Sequence, residues 1–225
     1  MTLGFEERKS DSPYIETVTR GWTESEGSVI RPAEVHWHMV FTRHEGRFHP
    51  FVVGSPKTAG IASWTSGAEI LWIKFKLGAF MPHLTARQYV DTETRLPDAS
   101  GGSFWLKGSA WEFPKYDNVE TFVMRLVREG VLVLDPVVRS ALQDGFRDVP
   151  SRTLRHRFLQ ATGLSQNYIR QFERAQRAAA LLQKGVSIVD SVYQAGYFDQ
   201  PHLTKAIKQF FGHTPAQLIH MNQSG

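Results

Sequence analysis

Polar and basic side chains recur on the outer faces of two short segments near the end of the chain. The later segment contributes Gln200, His202, Thr204, Lys205 and Lys208, with Pro201 among them. Lysine suits phosphate or guanine, glutamine suits adenine, and threonine can donate to phosphate. The earlier segment contributes Arg152, Arg155, His156 and Arg157 with no acid between them. Like charges this close repel each other, so DNA phosphates would explain the cluster, and a solvated basic face is the alternative.

These residues can share a face only if both segments are helices, and residues 187–221 carry the signals for helix, turn, helix, stop and helix. Ser187 and Asp199 are N-caps, with Asp190 and Pro201 suited to the first turns. Gly196 and Gly212 are suited to the helix ends. Thr214-Pro215 starts a third helix. Apolar residues at i, i+4, i+7 and i+8 make the buried face of the second helix, namely Leu203, Ile207, Phe210 and Phe211.

Two helices joined by a short turn describe a helix-turn-helix, although the same geometry occurs in ordinary α-domains. The residues AGYFDQPHLTKAIKQFFGHTPAQ closely resemble the second helix-turn-helix of the AraC/XylS family of bacterial transcription regulators. SRTLRHRF, with the later TGLS, is similar to the first recognition helix of that family. The register of the resemblance implies base contacts from Arg152, Arg155 and His156 and, in the second unit, from Gln200, Pro201, Thr204 and Lys205. Pro201 can offer only van der Waals contact.

The stretch from about Gln166 to Lys184 predicts a long helix connecting the two units. Its apolar residues Ile169, Phe172, Ala175, Ala179 and Leu182 share one side. The resemblance implies that this helix holds the recognition helices roughly 34 Å apart, so that both enter successive major grooves. The first unit departs from the usual family pattern, in which two helices precede the recognition helix. Only one helix, predicted over Val137–Gln143 with Val138, Ala141 and Leu142 inward, precedes its recognition helix, and the residues DGFRDVP separate the two.

Composition and charge agree with a polyanion partner for the C-terminal part. Residues 135–225 hold 11 Lys and Arg against 6 Asp and Glu, whereas residues 1–134 hold 15 against 16. The basic excess is therefore confined to the part with the two helical segments. The absence of cysteine excludes disulfides and thiolate chemistry. With no apolar run as long as a membrane span and no signal-peptide pattern at the N-terminus, we expect a cytoplasmic protein.

The pattern of the N-terminal half indicates a β-rich structure, so the sequence predicts an α+β fold with three parts. Residues 14–116 form a small β-rich domain, cupin-like or a sandwich, with strands at Ile15–Arg20, Glu34–Arg43, Arg47–Gly54 and Glu69–Lys76. Residues 117–134 form an amphipathic linker helix, and residues 135–225 form the DNA-binding domain. We expect residues 1–13 to be a loose charged arm. Residues 77–116 are expected to be loop-rich and fixed to the β-domain by Phe104, Trp105, Trp111 and Phe113.

The linker helix is predicted over Asn118–Glu129. Val119, Phe122, Val123, Leu126 and Val127 lie on one stripe. The stripe either packs on the β-domain or, as the family resemblance suggests, forms a dimer contact.

A metal site is the competing chemistry. His36 and His38, two residues apart on a predicted strand, point to the same face, and Glu45 or His83 could add a ligand. The spacing departs from that of cupin enzymes, whose carboxylate follows the second histidine by about four residues; here Thr42 and Arg43 stand there. The sequence therefore predicts no metal, no cofactor and no catalytic residues.

The resemblance implies a sequence-specific transcription regulator whose partner is double-stranded DNA. A small-molecule effector, a second copy of the chain and RNA polymerase are further candidate partners. Two alternatives stay open at this point. One is a cupin-type metal or small-molecule enzyme with a helical appendage, and the other is a nucleic-acid binder without sequence preference.

Overall fold

A computed structural model describes residues 3–100, 102–143 and 150–221, and its element order confirms the α+β fold class. Strands dominate before residue 113, and helices dominate after it. The strands are β1 Leu3–Lys9, β2 Ile15–Thr23, β3 Gly27–Arg31, β4 His38–His44, β5 Arg47–Val53, β6 Gly60–Trp64, β7 Glu69–Phe75, β8 Ala79–Phe80, β9 Glu93–Arg95, β10 Asp98–Ala99, β11 Ser103–Leu106, β12 Ser109–Glu112 and β13 Val133–Leu134.

The main sheet is antiparallel, with the strand order β1-β2-β7-β4-β5-β9. Side chains alternate along β7, because Leu71, Ile73 and Phe75 are buried while Ile70, Trp72 and Lys74 are only half-buried. Smaller sheets are formed by β10-β11-β12, by β13 with β8 and by β3 with β6.

The N-terminal residues are not the loose arm that their charge suggests. β1 pairs with β2 along its whole length, from Leu3 opposite Thr23 to Lys9 opposite Thr17. Its acids make cross-strand contacts on the exposed face, as in the Arg20 to Glu6 ion pair at 2.6 Å. Because β1 is an edge strand, charged side chains are tolerated there and hide the strand pattern.

The helices are α1 Ala86–Tyr89, α2 Val119–Arg128, α3 Pro136–Gln143, α4 Ser151–Thr162, α5 Gln166–Gln183, α6 Ile188–Ala195, α7 Gln200–Phe211 and α8 Pro215–Met221, and a 3-10 turn covers Tyr116–Asn118. Within the ranges that the structure describes, none of the helices combines the length and apolarity needed to cross a bilayer.

Helix α2 packs on the β-domain. Val119, Phe122, Val123 and Leu126 are buried in the same core as Met39, Ile73 and other strand residues. Its predicted apolar stripe is therefore occupied within the chain, which favours packing over a dimer contact through that stripe.

Residues 77–116 are less irregular than predicted, because β8 to β12 and α1 lie within them. Phe104 and Trp111 are buried in the core, and Phe113 packs against it. Trp105 is 46% exposed, so its predicted anchoring role is wrong. Phe104 and Trp105 are neighbours in β11 and point to opposite faces.

By packing, the chain divides into two compact units. The first, the β-rich unit, comprises Met1–Ser28, His36–Ser55 and Ser63–Ser165. The second, the helical unit, comprises Val29–Val35, Pro56–Ala62 and Gln166–Gly225. This division does not coincide with the predicted boundary near residue 134. Helices α3 and α4 pack with the β-rich unit, and two short segments from the N-terminal half pack with the helical unit.

Contacts at the end of α4 account for its place in the β-rich unit. Gly163 ends the helix so close to α1 that an added Cβ would lie 2.8 Å from the carbonyl oxygen of Ala86 and 2.5 Å from a methyl group of Val90. The separator DGFRDVP before α4 lies largely outside the described residues, as does the predicted inward position of the Leu142 side chain.

A partly exposed ion pair between Arg8 of β1 and Glu120 of α2 makes the stability of the fold depend on pH. The Arg8 guanidinium donates to both carboxylate oxygens of Glu120, at 2.6 and 2.8 Å, and the Ser10 hydroxyl donates at 2.8 Å. The Arg8 hydrogen bond lowers the pKa of Glu120 from 4.5 to about 2. Because the folded pKa lies below the unfolded one, the ionised carboxylate stabilises the fold above about pH 4.5. This contribution is lost as the pH falls from there towards 2.

We therefore expect Glu120→Gln to lower the free energy of unfolding by about 1 kcal/mol at pH 7, since solvent screens this partly exposed pair. The loss should shrink as the pH is lowered below 4.5. Urea titrations at pH 7 and at pH 3.5 measure it. Glu7→Gln is the matched control, because Glu7 accepts only an exposed bond from Thr19, and a Glu120→Gln effect that is constant with pH would contradict the assignment.

Candidate nucleic-acid interface

Helices α6 and α7 form the predicted helix-turn-helix, and the predicted caps hold both of them. The Ser187 hydroxyl accepts from the Asp190 N–H at 3.0 Å, and the Asp199 carboxylate accepts from the His202 N–H at 2.8 Å. Gly196 ends α6 in the left-handed conformation. Each cap satisfies an N–H group that has no partner within its own helix.

Helix α7 buries one face and leaves the other open. Leu203, Ile207 and Phe210 are buried, the first two in one core with α5, α6 and α8 residues. Phe210 meets the rings of Tyr168 and Phe172 on α5 edge-on. The orientation of α7 about its axis is therefore fixed by apolar packing, and this decides which side chains point outward.

Five of the predicted contact residues on α7 line a single open surface, which we call the reading surface. All are exposed apart from Thr204, which is half-buried. Its members are Gln200, Pro201, Thr204, Lys205 and Lys208. The helix thus presents two ammonium groups, a hydroxyl and an amide side by side, a set that can bind phosphates and base edges together.

His202 is exposed but does not line the reading surface. Its ring meets the buried ring of Tyr197 edge-on, with centroids 5.4 Å apart, and the Arg174 guanidinium lies 4.5 Å from that Tyr197 ring. Burial raises the pKa of Tyr197, while Arg174 opposes this shift. His202 thus contacts the turn between α6 and α7, and its DNA contact stays a prediction.

Helix α4 carries the other predicted basic cluster. Arg152, Arg155 and His156 are exposed. Phe158 is fully buried and anchors the opposite side of the helix, whereas Leu154 is only half-buried.

Arg157 differs from the other basic residues of α4 because its charge is used within the chain. Its guanidinium lies 3.2 Å from both carboxylate oxygens of Asp135, which is largely buried. Asp135 also accepts from the N–H groups of Val137 and Val138 in the first turn of α3. The pair ties α4 to α3. Sequence reasoning missed this partner, although Asp-Pro at 135–136 is a typical helix start.

The metal candidates do not form a ligand set. The His36 imidazole is hydrogen-bonded to the carbonyl oxygen of Phe75 at 2.8 Å, and His38 opens β4 instead of following His36 within one strand. Burial, with a smaller contribution from Lys107, lowers the pKa of His83. Across residues 3–100, 102–143 and 150–221, no three His, Cys, Asp or Glu side chains come together as ligands of one ion.

A small apolar cavity lies inside the β-rich unit, between β8, α1 and the end of α4. Its volume is about 30 Å³, and Trp37, Met81, Tyr89 and Ala161 are among its lining residues. That volume holds roughly one water molecule, whereas pockets for organic ligands usually exceed about 300 Å³. An effector could enter only if the surrounding side chains moved apart.

Comparison with solved structures gives only a loose overlap. One structure of ToxT from Vibrio cholerae aligns with 10% identity and a TM-score of 0.39 over 98% of this chain and 99% of that chain. A second, from strain O395, gives 9% and 0.40 over 100% and 99%. A third, bound to (E)-4-(8-methylnaphthalen-1-yl)but-3-enoic acid, gives 10% and 0.38 over 99% and 100%. These values are too low to establish a common fold or function.

Sequence comparison is specific for the C-terminal part. No curated protein matches the chain. The family model described as "Helix-turn-helix domain" matches residues 148–221, which include α4 to α8 and every residue of both basic clusters. This match confirms the resemblance that the motifs indicate, and it agrees with the observed caps and turn of α6 and α7. Residues 148–221 therefore form a helix-turn-helix domain, as the motifs of α4, α6 and α7 predict.

Proposed function

We propose that the chain regulates transcription by binding a specific DNA sequence, with α7 as the principal reader and α4 as the second. The reading surface carries this proposal, because five outward residues of a capped, core-anchored helix converge on one open surface. Each of the two helices would enter a major groove, and the two grooves would be successive along one side of the duplex. The site recognised by one copy of the chain would then be asymmetric.

On α7, the lysines and the remaining readers have different tasks. Lys205 and Lys208 supply phosphate contacts, in place of the base contact that the family register implies for Lys205, and thus most of the affinity, which falls as salt rises. Gln200 and Thr204, in the first half of the helix, supply the base-edge and nearby phosphate contacts that set register. Pro201 has no polar atom to offer in its side chain and would pack against a base edge.

On α4, we assign the DNA contacts to Arg152, Arg155 and His156. Arg157 would serve the scaffold instead, since the Asp135 carboxylate already neutralises it.

The β-rich unit would bias binding through an effector or through a second copy of the chain, because a regulator needs two states with different affinities. We further propose RNA polymerase as a partner and the cytoplasm as the location of the protein. The proposed activity is binding instead of catalysis.

We expect Lys205→Ala to weaken binding to a specific site by about 1–3 kcal/mol and to reduce the slope of log K against log salt by about 1, because one phosphate contact is lost. The probe is a duplex selected from a random-sequence pool by the wild-type protein, and titration at several salt concentrations gives both quantities. Lys9→Ala, an exposed lysine of β1, is the charge-matched control and should bind as the wild type does. Equal loss in both variants would mean that only net charge matters and would contradict groove reading.

Arg155→Ala and Arg157→Ala are expected to fail in different ways. Loss of Arg155 should weaken specific DNA binding by about 1–3 kcal/mol and leave thermal stability unchanged. Loss of Arg157 should lower the melting temperature, because the largely buried Asp135 carboxylate loses its partner. Melting curves and DNA titrations of both variants measure this. If Arg157→Ala melted as the wild type does and lost DNA affinity, Arg157 would be a reader and the assignment would be wrong.

A further inference from the structure

The C-terminal end of α7 is completed by residues from the N-terminal half of the chain. The last carbonyl groups of a helix have no partners within it. In α7, the carbonyl oxygen of Phe210 accepts from the Ala33 N–H at 2.7 Å, and that of Gln209 accepts from the Ala59 N–H at 2.8 Å. Two of the end groups of the recognition helix thus depend on Val29–Val35 and Pro56–Ala62, the two N-terminal segments of the helical unit.

Side-chain contacts reinforce these two hydrogen bonds. Gly212, with φ of +73°, lies so close to the segments that an added Cβ would be 2.6 Å from a methyl carbon of Ile30 and 3.2 Å from the Cβ of Ala59. The Tyr168 hydroxyl donates to the Lys57 carbonyl oxygen at 2.6 Å, and the Tyr168 ring packs against Phe210. Both segments therefore contact the end of α7, and the second also contacts α5.

The segments are joined to each other and continue into the β-rich unit. The Glu34 N–H donates to the Pro56 carbonyl oxygen at 2.9 Å, and β3 pairs with β6. Along the chain they lead directly to Met1–Ser28, His36–Ser55 and Ser63–Ser165. They leave the reading surface uncovered, since Gln200, Lys205 and Lys208 remain exposed.

We propose that residues 29–35 and 56–62 form a clamp on the C-terminal end of α7, and that its closure positions α7 for specific DNA binding. The inference rests on the proposed function, since it concerns the affinity of α7 for DNA. An open clamp leaves the carbonyl groups of Gln209 and Phe210 without these donors and frees the last turn, which carries Lys208. Because the reading surface is open in the clamped state, closure does not block DNA binding. Closure strengthens specific binding because it holds the last turn of α7 in place. Through the clamp, a change in the β-rich unit alters the position of α7.

Because the chain contains no cysteine, two introduced cysteines can form a disulfide within the chain only with each other. An added Cβ at Gly212 lies 3.9 Å from the Cβ of Ile30, which is within the range of disulfide geometry. The full chain carrying Ile30→Cys and Gly212→Cys should form one intramolecular disulfide under mild oxidation. Val29→Cys with Gly212→Cys is the matched control, because neighbouring side chains of a strand point to opposite faces, and it should not cross-link.

The DNA measurement compares the reduced and oxidised forms of the Ile30→Cys, Gly212→Cys protein, using the selected duplex and an unrelated duplex of equal length. The reduced form lacks the Ile30 contact and carries a non-glycine residue in the left-handed conformation, so its clamp is weakened. We expect it to bind the selected duplex about fivefold or more weakly than the wild type, and oxidation to restore the affinity. The unrelated duplex should be bound equally by all forms, since unspecific attraction does not need a positioned helix.

Each alternative result has a distinct meaning. Failure of the disulfide to form would overturn the clamp itself. A complete disulfide that leaves specific binding unchanged, or weakens it, would overturn the role of the clamp in positioning α7. A parallel loss for both duplexes would indicate unfolding instead of mispositioning and would also overturn it. If the wild-type protein bound neither duplex, the proposed function would fail, whereas wild-type binding without a response to oxidation contradicts the clamp alone.

Discussion

The helical unit depends on satisfying the backbone groups at the two ends of α7. At the first end Asp199 accepts from the His202 N–H, and at the last end Ala33 and Ala59 donate to two carbonyl oxygens. Between the ends, Leu203 and Ile207 fix the rotation of the helix about its axis. A reading surface is useful only if its side chains are held at a defined height and angle, and these contacts define both. Under the proposed function, the capped ends and the buried face of α7 serve recognition as well as stability.

The elements α6 to α8 could be predicted in detail because their determinants are local. Ser187, Gly196, Asp199 and Gly212 each act on groups within about four residues, so the sequence window that encodes each helix also contains its ends. The family match over residues 148–221 extends the same information to α4. The contact assignments on both helices remain predictions, and Arg157 illustrates why. Its neighbour Arg155 has the same chemistry, and only the fold reveals that Asp135 is close enough to pair with Arg157.

Features that depend on distant partners were missed. β1 is recognisable as a strand only through its pairing with β2, because its charges are those of a solvated arm. Trp105 and Phe104 are equally apolar, yet their opposite directions in β11 bury only one, a distinction that the period of a strand could have supplied. The packing of Val29–Val35 and Pro56–Ala62 on α7 joins residues far apart in sequence through backbone groups, which leave no side-chain signature.

The two recognition-helix candidates end in the same way. Gly163 after α4 lies against Ala86 and Val90, and Gly212 after α7 lies against Ile30 and Ala59. In both cases a residue with a side chain would collide with the N-terminal half of the chain. The consequence concerns the exchange of domains between regulators. A recombinant junction at residue 134 would preserve every residue of the helix-turn-helix match, yet it would replace the surfaces that Gly163 and Gly212 contact. A chimera that keeps these contacts would need to carry Val29–Val35, Pro56–Ala62 and the α1 region together with the helices, so the segments packed on the helix-turn-helix match are discontinuous in sequence.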